Sequence, residues 1–269
     1  MSNPFTPDHT MLQQYRNVAS QAARVGAKIL QRYAQSGFHV HHKNSIHNLV
    51  TDADRESEQA IVQVIQQAFP THQILAEEAG LYAAHDSPYK WVIDPLDGTT
   101  NFAHGFPFYN VSIGLEWQKT CIVGVVIDPF RNELFSAEVG CGAKLNGTPI
   151  HVSHVEKLNT ALVVTGFSYD FRETRDNLDE FCRFALKTQG LRRTGAAALD
   201  LCYVACGRFD GFWELKLNPW DTAAGMVIVQ EAGGRITNYD GSPFSIYDKE
   251  VVASNGTIHQ EMLETLKES

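Results

Sequence analysis

Leu12, Tyr15, Val18, Ala22, Val25, Ile29 and Tyr33 recur at steps of three or four, which predicts a long amphipathic helix over residues 8–35. Asp8 stands where such a helix needs an N-cap. A loop rich in His, Asn and Ser follows over residues 37–48. Leu49-Val50-Thr51 then leads into D-A-D-R-E-S-E-Q-A-I-V-Q-V-I-Q-Q-A-F, a second helix with acids in its first turn and Pro70 at its end. Ile74-Leu75-Ala76 reads as a short strand running straight into Glu77-Glu78.

Residues 108–145 change period. Y-N-V-S-I-G-L-E-W, C-I-V-G-V-V-I-D and E-L-F-S-A-E-V are alternating or β-branched runs, separated by Q-K-T, P-F-R-N and G-C-G turn signals. They predict an antiparallel meander. A boundary near residues 151–157 divides the chain into an N-terminal half (1–150) and a C-terminal half (151–269). Beyond it strands (T-A-L-V-V-T-G, F-D-G-F-W-E, V-V-A-S) alternate with helices over about 173–188, A-A-L-D-L-C-Y-V-A-C-G, P-W-D-T-A-A-G-M-V-I-V-Q-E-A-G-G and about 258–267. Pro219 starts the third of these helices and Gly233 stops it. The fold class expected is α/β, with an antiparallel-sheet N-terminal half and a mixed α/β C-terminal half.

With 269 residues and 43% hydrophobic composition, the chain can bury a large core. A net charge of −9 argues against a broad nucleic-acid surface. It leaves room for an anionic substrate if metal ions supply local positive charge. M-S-N-P-F-T-P-D-H-T lacks the pattern of a signal peptide, and no apolar run is long enough to span a bilayer, so the expected compartment is the cytosol. The cysteines (Cys121, Cys141, Cys182, Cys202, Cys206) are scattered and read as buried hydrophobes rather than a disulfide framework.

The chemistry concentrates in W-V-I-D-P-L-D-G-T-T-N-F (91–102). Pro95 after Asp94 predicts a bend that turns Asp97 back towards Asp94. Two ionised carboxylates so close repel unless one is protonated or cations lie between them. Gly98 lets backbone approach a ligand, and the amides of Gly98, Thr99 and Thr100 suit a phosphate cradle. Acids on one side and anion-binding amides on the other imply a metal–phosphate unit, hence phosphoryl chemistry. Asp54, Glu77-Glu78 and Asp221 stand at strand ends and helix starts, positions that gather at one rim in layered α/β folds. Each alone reads as a turn, a solvated pair or a helix-capping charge. Together their all-oxygen set selects a hard cation such as Mg²⁺, with two ions about 3.5–4 Å apart able to clamp a phosphate and activate water.

These segments, with L-V-T-D-A-D (49–54), A-E-E (76–78) and P-W-D-T-A-A-G (219–225), resemble the inositol monophosphatase family of Mg²⁺-dependent, lithium-sensitive phosphatases. R-R-T-G-A-A-A-L-D-L-C-Y-V-A-C-G-R-F-D-G-F-W-E (192–214) is most similar to its bacterial branch. The resemblance implies a layered αβαβα sandwich, a homodimer and two or three Mg²⁺ ions. It implies metal ligation by Glu77, Asp94, the Leu96 carbonyl, Asp97 and Asp221, with Asp54 and Thr99 activating the attacking water. It also implies substrate contacts from Asp97, Gly98, Thr99, Thr100, Ala197, Glu214 and Asp221, and a loop lysine at Lys43. The implied reaction is in-line attack of an activated water on myo-inositol 1-phosphate, with no covalent enzyme intermediate. Asn218-Pro219 depart from the histidine and cysteine that some animal members carry before W-D. Relatives act on fructose 1,6-bisphosphate, histidinol phosphate or 3′-phosphoadenosine 5′-phosphate, and some bacterial ones also serve in transcription complexes. His39, His41, His42 and His47 invite a metal-tract reading that no acid or cysteine nearby completes. Arg192-Arg193 reads as a solvated or subunit-contacting pair, and Trp213 and Trp220 as core anchors beside the site.

Overall fold

The computed structural model describes residues 7–42, 49–82 and 86–268. Helix α1 (His9–Ser36) is capped by Asp8, whose Oδ1 accepts the Met11 N–H at 2.8 Å. Its buried side runs through Leu12, Tyr15, Ala19, Ala22, Ala23, Gly26, Ala27 and Leu30, whereas Val18, Val25, Ile29 and Tyr33 are half-buried. The helix is rotated from the expected stripe because it lies close against a second helix. A methyl at Gly26 would come within 2.8 Å of both Ile61 and Ser57.

Strand β1 (Val40–His42), inside the stretch expected as a loop, pairs antiparallel with β2 (Leu49–Thr51), and α2 (Asp52–Ala68) follows. Then come β3 (Gln73–Ala76), β4 (Gly80–Tyr82), β5 (Tyr89–Asp97), α3 (Thr99–Ala103), β6 (Asn110–Trp117), β7 (Thr120–Asp128), β8 (Glu133–Glu138), β9 (Ala143–Leu145) and β10 (Thr148–Pro149). These strands form one sheet in the order β10-β9-β8-β7-β6-β5-β3-β4. The expected meander is present from β6 to β9, but β3 joins β5 in parallel, so this sheet is not wholly antiparallel.

The remaining elements are β11 (Leu162–Thr165), α4 (Phe171–Thr174), α5 (Leu178–Lys187), β12 (Gly190–Arg193), α6 (Ala197–Ala205), β13 (Gly211–Leu215), α7 (Pro219–Glu231), β14 (Arg235–Thr237), β15 (Glu250–Ser254) and α8 (His259–Lys267). The second sheet runs β12-β11-β13-β15-β14, parallel at β11 and antiparallel from β13 onward. The single helix expected over 173–188 is broken, with Arg175 and Asn177 in the left-handed region at φ 62° and 65°. Asn177 turns inward there, and its Oδ1 accepts the Trp213 indole N–H at 2.6 Å. Helices α1 and α2 cover one face of the first sheet, α6 and α7 fill the space between the sheets, and α5 and α8 cover the far face of the second. The result is an αβαβα sandwich.

Candidate active site

Strand β5 bends rather than ends at Asp94. Its pairing with β6 breaks between Asp94 and Asp97 and resumes at Asp97–Asn110. Pro95 lies in that gap, where its missing N–H interrupts no ladder bond. The Asp94 Oδ1 accepts the Leu96 N–H at 3.0 Å. The Asp97 Oδ2 accepts Asn110 Nδ2–H and the Ala198 N–H, both at 2.8 Å. Gly98 has φ 91°, and a Cβ there would stand 3.0 Å from the Phe108 carbonyl, so conformation and space both call for glycine.

Asp54 and Asp221 are the third residues of α2 and α7, and each reaches back to its helix start. Asp54 Oδ2 accepts the Thr51 N–H at 2.7 Å and the Thr51 hydroxyl at 2.6 Å; Asp221 Oδ2 accepts the Asn218 N–H at 2.7 Å. The Thr99 hydroxyl lies 3.1 Å from Asp54 Oδ1 and 3.0 Å from the Leu96 carbonyl, either of which can accept it. Glu77 follows β3, with its N–H on the Ile93 carbonyl at 3.2 Å.

One cavity is lined by Glu77, Asp94, Leu96, Asp97, Gly98, Thr99, Thr100, Ala197, Glu214 and Asp221. Asp54 stands behind Thr99 and reaches the cavity only through that hydroxyl. Lys43 lies outside the described residues. Burial pushes the Asp94 carboxyl well above its ordinary range, and the charges of Glu77, Asp97 and Asp221 add to it. Asp221 is raised likewise by burial and by Asp97 and Glu77. Burial takes Asp97 to about 6 against the pull of its Asn110 and Ala198 donors, Asp54 to about 7, and Glu214 to about 8. Such a cluster holds protons until cations replace them.

The donor set fits hard cations. Asp94, Asp97 and Asp221 each commit one oxygen to N–H donors, and the second oxygen of each takes none of those bonds. Among the described residues, no three His, Cys, Asp or Glu side chains stand at metal-holding spacing.

A model of the inositol monophosphatase family matches residues 11–269. The chain belongs to this family. An inositol-1-monophosphatase from Synechocystis is 49% identical over 264 residues, covering 97% of this chain and 91% of the relative. A Pseudomonas aeruginosa protein named Nus factor SuhB is 42% identical over 265 residues, covering 95% and 97%. The structure of an inositol monophosphatase from Anabaena (Nostoc) superimposes with a TM-score of 0.86 at 45% identity, covering 95% of this chain and 96% of the other.

This inositol monophosphatase family phosphatase uses residues that the sequence reading did not pick out. Asn110 fixes Asp97, and Asn101 donates to the carbonyls of Phe108 (2.7 Å) and Thr194 (2.8 Å), tying the signature turn to the loop before α6. The first follows from strand register and the second from a crossing between sheets, so neither had a local signal. Arg193 lines the cavity, rather than standing apart from it as a solvated pair with Arg192. His39 and His41 approach Asp52 at 3.0 and 3.2 Å, an acid not counted beside them, on an exposed surface; His47 lies outside the described residues. All cysteines are free; Cys121 and Cys202 are buried as expected, but Cys141 and Cys206 are half-buried and Cys182 is exposed. Trp213 is core, stacked 3.9 Å from Phe184, and Trp220 lines the cavity.

Proposed function

We propose that the chain hydrolyses myo-inositol 1-phosphate to inositol and phosphate, with two or three Mg²⁺ ions held by Glu77, Asp94, the Leu96 carbonyl, Asp97 and Asp221. The observation that carries this reading is the convergence of acids from β5, α7 and the turn after β3 on the cavity that also contains Gly98–Thr99 and Glu214. Magnesium, when bound, supplies the positive charge that lets acids and phosphate share one cavity and polarises the phosphate. The amides of Gly98, Thr99 and Thr100 hold phosphate oxygens from the opposite side. As water attacks phosphorus, the ester P–O bond on the opposite side breaks; the water proton passes to the Thr99 hydroxyl oxygen while that hydroxyl gives its own proton to Asp54 Oδ1, and the departing inositol oxygen takes a proton from solvent water. An Asp54 carboxyl near about 7 suits a base working at neutral pH. Asp97, Ala197 and Glu214 receive the ring hydroxyls, and Asp221 closes the leaving-group side.

The Synechocystis relative supports inositol phosphate as substrate. A phosphate-release panel in Mg²⁺, with and without Li⁺, tests it against fructose 1,6-bisphosphate, histidinol phosphate and 3′-phosphoadenosine 5′-phosphate. Inositol 1-phosphate is expected to turn over fastest and to be inhibited by Li⁺; much faster cleavage of a bisphosphate or nucleotide overturns the assignment. A homodimer belongs to the same reading, and the exposed Phe106 and Phe130 offer apolar surface for it. The name of the Pseudomonas relative supports a second reading, a protein-interaction role in transcription, which filled acid positions neither require nor oppose.

A further inference from the structure

Asp54, Ser57 and Glu58 share one face of α2, at the spacing that places side chains side by side. Each grips a different part of the site. Asp54 takes the Thr99 hydroxyl at 3.1 Å, and the Ser57 hydroxyl donates to the Pro95 carbonyl at 3.0 Å. Glu58, only 2% exposed, accepts the Glu78 N–H on Oε2 at 2.8 Å and the Ala79 N–H on Oε1 at 3.1 Å. Both oxygens of a buried side chain are thus spent on successive amides of the turn that begins with Glu77.

That turn has reason to need holding. Glu77 lines the same cavity as Asp94 and Asp97 and is carried on the turn that leaves β3, so where its carboxylate sits depends on what holds the amides that follow it. Paired N–H bonds to a carboxylate are among the stronger ones available to hold such a turn. A glutamine could offer only one acceptor oxygen and would turn an N–H₂ towards an N–H.

We propose that Glu58 is a positioning residue: it fixes the 77–79 turn so that Glu77 stays opposite Asp94 and Asp97 before any cation arrives. This rests on the reading of Glu77 as a metal ligand. Calorimetric titration of Mg²⁺ into the full chain, Glu58→Gln and Glu77→Gln tests both statements. Glu58→Gln is expected to weaken Mg²⁺ binding by about 10–100-fold, the usual effect of losing a group that orients a ligand. It should raise the Mg²⁺ needed for half-maximal turnover by a similar factor, with kcat at saturating Mg²⁺ close to wild type. Wild-type Mg²⁺ affinity in Glu58→Gln, alongside weakened binding in Glu77→Gln, overturns the positioning role alone. Wild-type affinity in Glu77→Gln removes the ligand reading and this inference with it. Amide exchange on the metal-free wild-type protein gives a check that needs no variant: the Glu78 and Ala79 amides should be protected without Mg²⁺, and rapid exchange there overturns the clamp.

Discussion

Single carboxylates in this site carry two tasks on their two oxygens. Asp54 and Asp221 each use Oδ2 to satisfy a helix start, the ordinary role of an acid at that position. Only Oδ1 remains for chemistry, and in Asp54 it already takes Thr99. Asp97 differs, because its Oδ2 is held from both halves of the chain, by Asn110 of β6 and the Ala198 N–H of α6. An asparagine at 97 can keep both bonds with its amide oxygen while losing the charge. Asp97→Asn is therefore expected to keep its circular dichroism spectrum and to lose about 10³-fold in kcat/KM, the rate equivalent of several kcal/mol of cation-assisted stabilisation. Near-normal steady-state turnover in a folded Asp97→Asn protein would sink the assignment of Asp97 to the metals. The acids themselves were legible from D-P-L-D-G-T-T-N-F. Asn110 was not, because its partner is set by how β6 registers against the bulge in β5.

Among elements, α7 carries the tightest constraint on the site, since its first turn delivers Asp221 and its body lies directly on the first sheet. A Cβ added at Gly124 of β7 would overlap the backbone carbonyl of Ala224, and one at Gly114 of β6 would meet the Ala223 side chain at 2.7 Å. A helix backbone cannot step aside as a side-chain tip can, so Gly124→Ala should shift α7 or leave it strained. The expected cost is about 1–3 kcal/mol, read as a lower urea midpoint at unchanged slope; a midpoint equal to wild type would show that α7 tolerates the displacement. The same closeness explains what the hydrophobic pattern missed. In α1 the contact side is built from Ala19, Ala23, Gly26 and Ala27, residues too small to dominate a hydrophobic stripe, and the larger Val25 and Ile29 flank it. The long helices and the β6–β8 strands declared themselves by period. The short strands β1, β12 and β14 did not, because three or four partly polar residues gain their strand conformation from neighbours rather than from their own pattern. The break between α4 and α5 was hidden for a similar reason: Asn177 leaves the helix to serve Trp213 and Thr165, which lie on other elements.

At the scale of the whole molecule, layering brings strand ends and helix starts from both sheets to one cavity and strips water from their acids. Asp54 and Glu214 are 0% and 8% exposed, and burial raises them to about 7 and about 8. In the unfolded chain the same groups ionise near 3.9 and 4.3. Between those values and the folded ones the native state binds more protons than the unfolded state. The stability they contribute is therefore complete at low pH and lost as pH rises through the folded values. His72 and His259 act oppositely: burial lowers both from 6.5 to about 4, so their contribution is complete above 6.5 and lost as pH falls below it. Well above 6.5 these histidines are neutral in both states, and the opposing contribution of the acids prevails. Metal-free protein, held in chelator, should accordingly lose unfolding free energy as pH rises from about 6.5 to 8, by up to about 1.4 kcal/mol per pH unit for each proton released on unfolding. Added Mg²⁺ should raise stability throughout and flatten that slope, since cations favour the ionised acids and bind only the folded cluster. Urea titrations at several pH values, with chelator or with Mg²⁺, measure both slopes. A metal-free protein that gains stability over this range would mean that the buried acids have shed their protons before the metal comes, and that the layered fold bears their repulsion unaided.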